Sequence, residues 1–245
     1  MRPARRDFAR ALVRTLGAQG TWNYRSYTAG GLTYALLPLL QRIHAGDPVA
    51  FRASVERHLR PFNAHPYLVP LAVGALARLE HEREEPKRIE RFRTALSSSL
   101  GAVGDRLVWQ AWRPFCLLMG VLGFSLGLGP WAAVLTFLIP YNAGHVTLRV
   151  WGLRRGWSAG LRVGAVVSGR GLRRLARWLT AADLLLLGTV AVTLAHRVAG
   201  GTVPRWTGAA AGAAAAAAGA GWPGVVGVSA AALVVVGALV AWIAR

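Results

Sequence analysis

Acidic residues are scarce in this chain. Its 245 residues include ten Asp and Glu against twenty-nine Lys and Arg, a formal net charge of +19. Eight of the ten acids precede Phe92, leaving Asp105 and Asp183 as the only ones beyond it. Charge of either sign is thin, at 16% of residues, where about a quarter is ordinary for a globular protein. Net charge alone would fit a nucleic-acid binder, but long uncharged runs have no place in such a protein and exclude it. Cysteine is nearly absent. Cys116 stands in an apolar run with no disulfide partner and no metal-ligand spacing, and reads as a small core hydrophobe. The sequence contains no metal cluster, phosphate loop or nucleophile–base pair, and its six histidines are scattered. It therefore predicts neither an enzyme nor a bound cofactor.

What is there is a set of uncharged runs separated by basic segments, the pattern of a membrane protein with basic loops. In residues 1–20, Phe8, Leu12 and Leu16 recur at helical spacing with Arg6, Arg10 and Arg14 on other faces. That suits an amphipathic helix lying on an anionic membrane surface. Arg10 and Arg14 also interrupt any apolar core of an export signal, which argues against a cleaved leader. Residues 21–113 hold shorter runs, sixteen residues in Ser26–Gln41 and twelve in Pro66–Ala77. A crossing needs about twenty, so these read as re-entrant or buried half-helices among cytoplasmic polar helices. Asp47-Pro48 reads as an N-cap and first helical residue, and Pro61 as the stop of that helix. Glu84 stands four residues before Arg88 in a charge-dense helix with surface ion pairs.

Residues 114–148 form a thirty-five-residue uncharged run. One helix of that length would overshoot the hydrocarbon, so two membrane crossings joined near Gly129-Pro130 are predicted. The segment 149–177 carries eight arginines and no acid and reads as a basic cytoplasmic loop. The N-terminal helix, with five arginines, belongs on the same side. Residues 178–199 read as a further span, with Asp183 pairing with Arg177 or Arg174. Residues 206–244 read as a C-terminal helical hairpin with an Ala/Gly-rich first arm. The fold class is all-α: a polytopic α-helical membrane protein with re-entrant or broken helices and an N-terminal amphipathic helix.

Polar groups inside apolar regions are costly and so are functional candidates. In AQGTWNY, Gln19 and Asn23 offer amides while Trp22 and Tyr24 offer flat rings, beside Gly20. Sugars are held by such groups, and an interfacial aromatic belt fits the same residues. In RPFNAHPY, Asn63 and His65 lie between two prolines, next to a backbone freed from helical bonding; a plain helix-ending turn is the other reading. In SLGAVGDRLVWQAWRP, Asp105 is expected to cap a helix beginning at Arg106. Gly101 and Gly104 there would let the backbone approach a solute or a partner subunit.

These blocks, in this order and followed by YNAGHVTLRVWGLRRGWSAGL, resemble the IID membrane component of the mannose/fructose/sorbose-type sugar phosphotransferase system over about residues 8–199. The resemblance implies a subunit without catalytic or phosphorylated residues of its own, multi-pass in the bacterial cytoplasmic (inner) membrane, with its N-terminus cytoplasmic. It implies a hetero-oligomer with a IIC membrane subunit, embedded in lipid, that moves a hexose-type sugar. Soluble IIA and IIB phosphocarriers relay the phosphate, and IIB phosphorylates the sugar. By motif, Gln19, Gly20, Trp22, Asn23 and Tyr24 are expected near the IIC interface and sugar path. Asn63, His65, Pro66, Gly104 and Asp105 occupy the other two family elements. After the Trp-Asn-aromatic triplet the family commonly has Glu-Arg, where this chain has Arg25-Ser26; after Gly-Asp a proline is common, where this chain has Arg106. A base in place of an acid keeps an alternative open, a non-transporting membrane anchor or regulatory scaffold for the phosphocarriers.

Overall fold

The structure, a computed structural model, describes residues 3–198, and these are helical apart from short connections and isolated bridges. The expected hairpin over 206–244 lies outside the described residues. In chain order the helices are α1 (Arg5–Arg14), α2 (Ala29–Ile43), α3 (Pro48–Leu59), α4 (Val69–His81), α5 (Pro86–Gly104), α6 (Arg113–Ser125), α7 (Pro130–Ala159), α8 (Val163–Val167) and α9 (Arg170–Val198). Two compact units result. Of the described residues, one comprises 3–105 and 144–172; the other comprises 106–143 and 173–198.

The first unit is built around α4. Every residue of α4 from Val69 to Ala77 is buried, as expected of a helix that is apolar all round. The twelve-residue run too short for a crossing is thus the centre of a core. Helix α2 packs against α1, α3 and α4, and α5 packs against α4. The C-terminal half of α7 crosses α4 at backbone distance. A side-chain carbon on Gly74 would overlap the Leu153 carbonyl and Trp157 amide, and one on Gly156 would overlap the Leu71 carbonyl. Gly152 lies against Leu71 as well. Gly152-x-x-x-Gly156 thus forms the small-residue face that lets two helices approach closely.

Two proline effects shape this unit. Pro38 sits inside α2 and cannot donate to the carbonyl four residues back. That carbonyl, on Tyr34, accepts from Arg14 Nη1 at 3.2 Å, and the same guanidinium lies 4.6 Å from the Tyr34 ring centroid. Helix α3 begins as the sequence indicated, with the Asp47 carboxylate accepting from the Ala50 amide and Pro48 at the first position.

Between α3 and α4 lies a buried charge cluster. Arg57 donates to the Glu80 carboxylate from Nε (3.1 Å) and Nη2 (3.0 Å), and His58 Nε2 lies 2.9 Å from Glu80 Oε1. His44 approaches the same carboxylate at 3.4 Å. Burial pushes the His58 pKa down against the pull of Glu80. Burial pushes Glu80 up, but His58 and Arg57 outweigh it and leave its pKa below the usual carboxylate value. A neutral His58 donating from Nε2, with Arg57 as the counter-charge, accounts for both directions. It also fits a buried Nδ1 that has no hydrogen-bond partner.

In the second unit, a π-helical stretch over Asp105–Trp112 leads into α6. The chain turns at Leu126–Gly129, with Gly127 at φ +101°, and returns along α7. Gly120 faces Ala133 and Phe137 where the two arms meet. Leu117, Phe124, Leu126, Ile139 and Trp131 are exposed, Trp131 to 81%. An apolar surface of that extent needs lipid or a partner to cover it. Among the described residues, two helical runs are long and apolar enough to cross a membrane, Pro86–Ser125 and Arg170–Arg197.

Two expectations are corrected. Asp105 does not cap a new helix, because the helical run continues through it from Pro86 to Ser125. Gly101 and Gly104 loosen the run without ending it, and the bonding widens to the π register instead. Asp183 is buried, and among the described residues it has no ion pair with Arg174 or Arg177. Those arginines precede it by nine and six residues, which at 3.6 residues per turn sets them about 180° and about 120° around α9.

Two outcomes follow. Gly156→Leu should lower stability by about 1–3 kcal/mol through overpacking at the α4–α7 crossing, read as a lower melting temperature in detergent. Gly164→Ala, which meets open space, should shift it far less. Acidification should destabilise the first unit. An unfolded chain protonates His58 near its ordinary 6.5 while the fold resists, so stability falls below about pH 6.5. It falls further as pH drops through the depressed Glu80 value. His58→Gln should shrink the early part of that decline without abolishing it, because buried His65 also resists protonation. It should also lessen the later part, because His58 is the main group that lowers Glu80.

Candidate functional site

Apart from the His65 carbonyl, which accepts from the Leu68 and Val69 amides, the chain between Pro61 and Pro66 has no helical partners for its backbone, and unmet buried groups of this kind are costly. Two other elements supply the bonds. The Thr28 amide and hydroxyl donate to the Phe62 carbonyl at 2.9 and 2.8 Å, and the Phe62 amide donates to the Ser26 carbonyl at 3.2 Å. The Asn63 amide donates to Ser97 Oγ at 2.8 Å, and that hydroxyl donates back to the Asn63 carbonyl at 2.7 Å. Buried Arg93 donates to the carbonyls of Pro61 (3.1 Å), His58 (2.9 Å) and Arg60, with its guanidinium 5.1 Å from the Phe62 ring centroid. The Pro61–Pro66 segment is therefore held by the loop before α2 on one side and by α5 on the other.

The loop carrying Gln19, Gly20, Trp22, Asn23 and Tyr24 is exposed. Trp22 is 46% and Tyr24 84% accessible, and their rings meet edge-on at 4.9 Å. Asn23 organises this loop. Its Oδ1 accepts from the Arg25 and Ser26 amides, both at 2.9 Å, and its Nδ2 donates to the Thr21 carbonyl and Ser26 Oγ. The sequence reading offered Asn23 as a reader of sugar hydroxyls, but here the amide's bonding is directed into its own turn. Gly31 seats the loop on α2, since a side-chain carbon there would overlap the Ala18 backbone.

His65 and Pro66 are buried, and Asn63 is exposed. A side-chain carbon on Gly104 would overlap the Cβ and ring of His65, so the glycine permits α5 to lie directly on that histidine. The three sequence elements thus meet within the first unit: the loop binds the Asn-x-His-Pro segment, and that segment binds Ser97 and abuts Gly104. Asp105, half-buried, follows at the start of the π-helical stretch.

Sequence reasoning missed a second layer behind His65. The Tyr67 amide donates to His65 Nδ1 at 3.2 Å, and the two rings meet edge-on at 5.2 Å. Tyr67 stacks on His145, with centroids 4.1 Å apart and planes 9° from parallel. Arg149, buried, donates to His145 Nε2 and to the Thr15 carbonyl, and its guanidinium lies 5.2 Å from the Tyr67 ring centroid. Burial, reinforced by the Arg149 charge, holds His65 at a pKa of about 4, so it is neutral at physiological pH. The available signal was the four-residue spacing of His145 and Arg149 in YNAGHVTLR, which puts both on one face of α7. Among the described residues no group of three His, Cys, Asp or Glu could hold a metal ion. The arrangement presents flat rings and amides at an exposed loop backed by a fixed cationic and aromatic layer.

Comparison with known proteins identifies the family. The profile of the family described as PTS system mannose/fructose/sorbose family IID component matches residues 4–200. The mannose-specific EIID component of Escherichia coli (strain K12) is 25% identical over 198 residues, covering 78% of this chain and 68% of that protein. The sorbose-specific EIID component of Lacticaseibacillus casei is 30% identical over 178 residues, covering 69% and 61%. In fold, the chain resembles a structure of the mannose transporter ManYZ in complex with microcin E492, with a TM-score of 0.61, 24% identity, and coverage of 77% of this chain and 70% of that one. A second structure, described as a membrane protein, gives a TM-score of 0.70 at 24% identity, covering 78% and 71%. The chain therefore belongs to the IID components of the mannose/fructose/sorbose family of the phosphotransferase system, the membrane subunits of its sugar permeases.

Proposed function

We propose that this subunit pairs with a IIC membrane subunit in the bacterial cytoplasmic membrane and helps to move a hexose-type sugar, which a IIB phosphocarrier then phosphorylates. It carries no phosphoryl group itself; its task is to complete the translocating unit. The observation that carries this reading is the joining of all three family elements by hydrogen bonds in one unit. The loop over Gln19–Tyr24 is tied through Ser26 and Thr28 to the segment holding Asn63, His65 and Pro66. That segment is tied in turn to α5, at whose end stand Gly104 and Asp105.

The exposed rings of Trp22 and Tyr24 then form the contact surface for IIC and border the sugar path, with Gln19 as the nearby free amide. Apolar rings on a rigid turn are good anchors because little side-chain entropy is lost on docking. In this reading Asn23 acts by fixing the turn. The chain is multi-pass, its arginine-rich 149–177 segment and N-terminal helix lie on the cytoplasmic side, and α1 rests on the membrane surface. The exposed apolar faces of α6 and of the first half of α7 support a lipid or subunit environment.

The direct test is reconstitution with the cognate IIC subunit and the IIA and IIB carriers, reading phosphoenolpyruvate-dependent hexose uptake. Uptake that requires this chain is the expected result. A stable complex that moves no hexose would instead favour the scaffold reading, to which Arg25 at the acid's position lends its weight. Tyr24→Ala should weaken co-purification with IIC while leaving the melting temperature unchanged. Asn23→Ala should loosen the loop by about 1 kcal/mol and lower assembly and uptake together. Unaltered assembly with a raised half-saturating sugar concentration would return Asn23 to the role of sugar ligand.

A further inference from the structure

A shallow, open groove of about 620 Å³, lined by α7 alone, is not used by the reading above. Val146, Val150 and Trp151 line one end; Arg154, Arg155 and Ser158 line the other. The two ends differ in kind. No charged residue occurs from Pro114 to Leu148, whereas eight arginines and no acid occupy 149–177. The groove straddles that change, so its apolar end abuts the uncharged run and its cationic end opens the basic one. From Val146 to Arg154 is about 12 Å at 1.5 Å per residue, roughly the distance from a phosphate to the upper part of an acyl chain.

Arg154 and Arg155 are both exposed, and among the described residues neither forms an ion pair. The guanidinium pair offers donors suited to phosphate oxygens, while the Ser158 hydroxyl donates to the Arg155 carbonyl at 3.0 Å. Sequence alone limits what this chain can supply in return, since no acid lies between Asp105 and Asp183 and none follows Asp183. The charge calls for an external anion, and the apolar half calls for an occupant that is greasy at one end.

We infer that this groove binds an anionic phospholipid, its phosphate on Arg154 and Arg155 and its acyl chain along Val146, Val150 and Trp151. The inference rests on the membrane reading of the chain. A soluble acidic peptide would satisfy the arginines and leave the apolar half unfilled, which is why lipid is favoured. Juxtamembrane arginines gain from anionic lipid in any case; Val146, Val150 and Trp151 add an apolar surface beside this pair.

The test uses the full chain in detergent, titrated with phosphatidylglycerol or phosphatidylcholine and read by native mass spectrometry. Wild type should bind one phosphatidylglycerol at least tenfold more tightly than phosphatidylcholine. Arg154→Gln/Arg155→Gln should bring the two within twofold, Arg154→Lys/Arg155→Lys should restore most of the preference, and Arg173→Gln/Arg174→Gln should leave it intact. Equal binding of both lipids by wild type would overturn the inference, as would an unaffected double Gln variant or an equal loss in the Arg173/Arg174 control. Inorganic phosphate bound as tightly as the lipid would assign the arginines to a free anion, and a polyglutamate peptide bound in preference to it would assign them to an acidic protein. Either outcome overturns the proposal. A chain monodisperse without detergent would defeat the membrane reading itself, a result separate from any of these.

Discussion

The architecture depends on a stretch of backbone that cannot bond to itself. Pro61 stops α3, Pro66 delays α4, and the carbonyls and amides between them must find partners elsewhere. Thr28, Arg93 and Ser97 provide them, from two elements far apart in sequence. The consequence is geometric. Once those bonds form, the aromatic loop, the Asn-x-His-Pro segment and the end of α5 have fixed mutual positions, and Gly104 can come to rest on His65. A buried arginine is an expensive way to hold a turn, and Arg93 is kept there by at least three carbonyl acceptors and an aromatic face.

Around this junction the core combines buried leucines, among them Leu36, Leu40, Leu71 and Leu76, with close helix approach. The Gly74–Gly156 crossing brings α4 and α7 to backbone contact, and α4 is buried on all sides. Arg149 then reaches from α7 to the Thr15 carbonyl at the end of α1, passing the Tyr67 ring. Helices remote in sequence are thus joined by single long side chains whose charges are matched by carbonyls and rings. Such matching is economical in a chain with so few carboxylates.

Much of the local structure was legible in the sequence. Asp47-Pro48, Pro61, the Glu84–Arg88 pair and the Gly129-Pro130 turn each act through neighbours within a few residues, so the pattern alone exposes them. The run Pro66–Ala77 was recognisably too short to span, and it is the core helix. What escaped was non-local. Nothing in the sequence says that Arg93 turns inward while Arg91 faces solvent, or that Ser97 pairs with Asn63. The site was legible as three separate blocks, but the layer of Tyr67, His145 and Arg149 behind it was not, because their partnership exists only after α7 crosses α4. Asp105 misled for the opposite reason. A Gly-Asp pair is a strong local stop signal, yet the helix on either side propagates through it. Asp183 misled because helical phase, rather than proximity in sequence, decides which arginine it can meet.

The claim that imported side chains hold the broken segment is open to one direct measurement. Hydrogen–deuterium exchange of the full chain, in wild type and in Arg93→Met, reports the Phe62 and Asn63 amides and the loop over residues 21–28. Protection at Phe62 and Asn63 in wild type, lost in the variant together with protection in the loop, is the predicted result. Exchange in both regions that is identical in the two proteins would contradict the account.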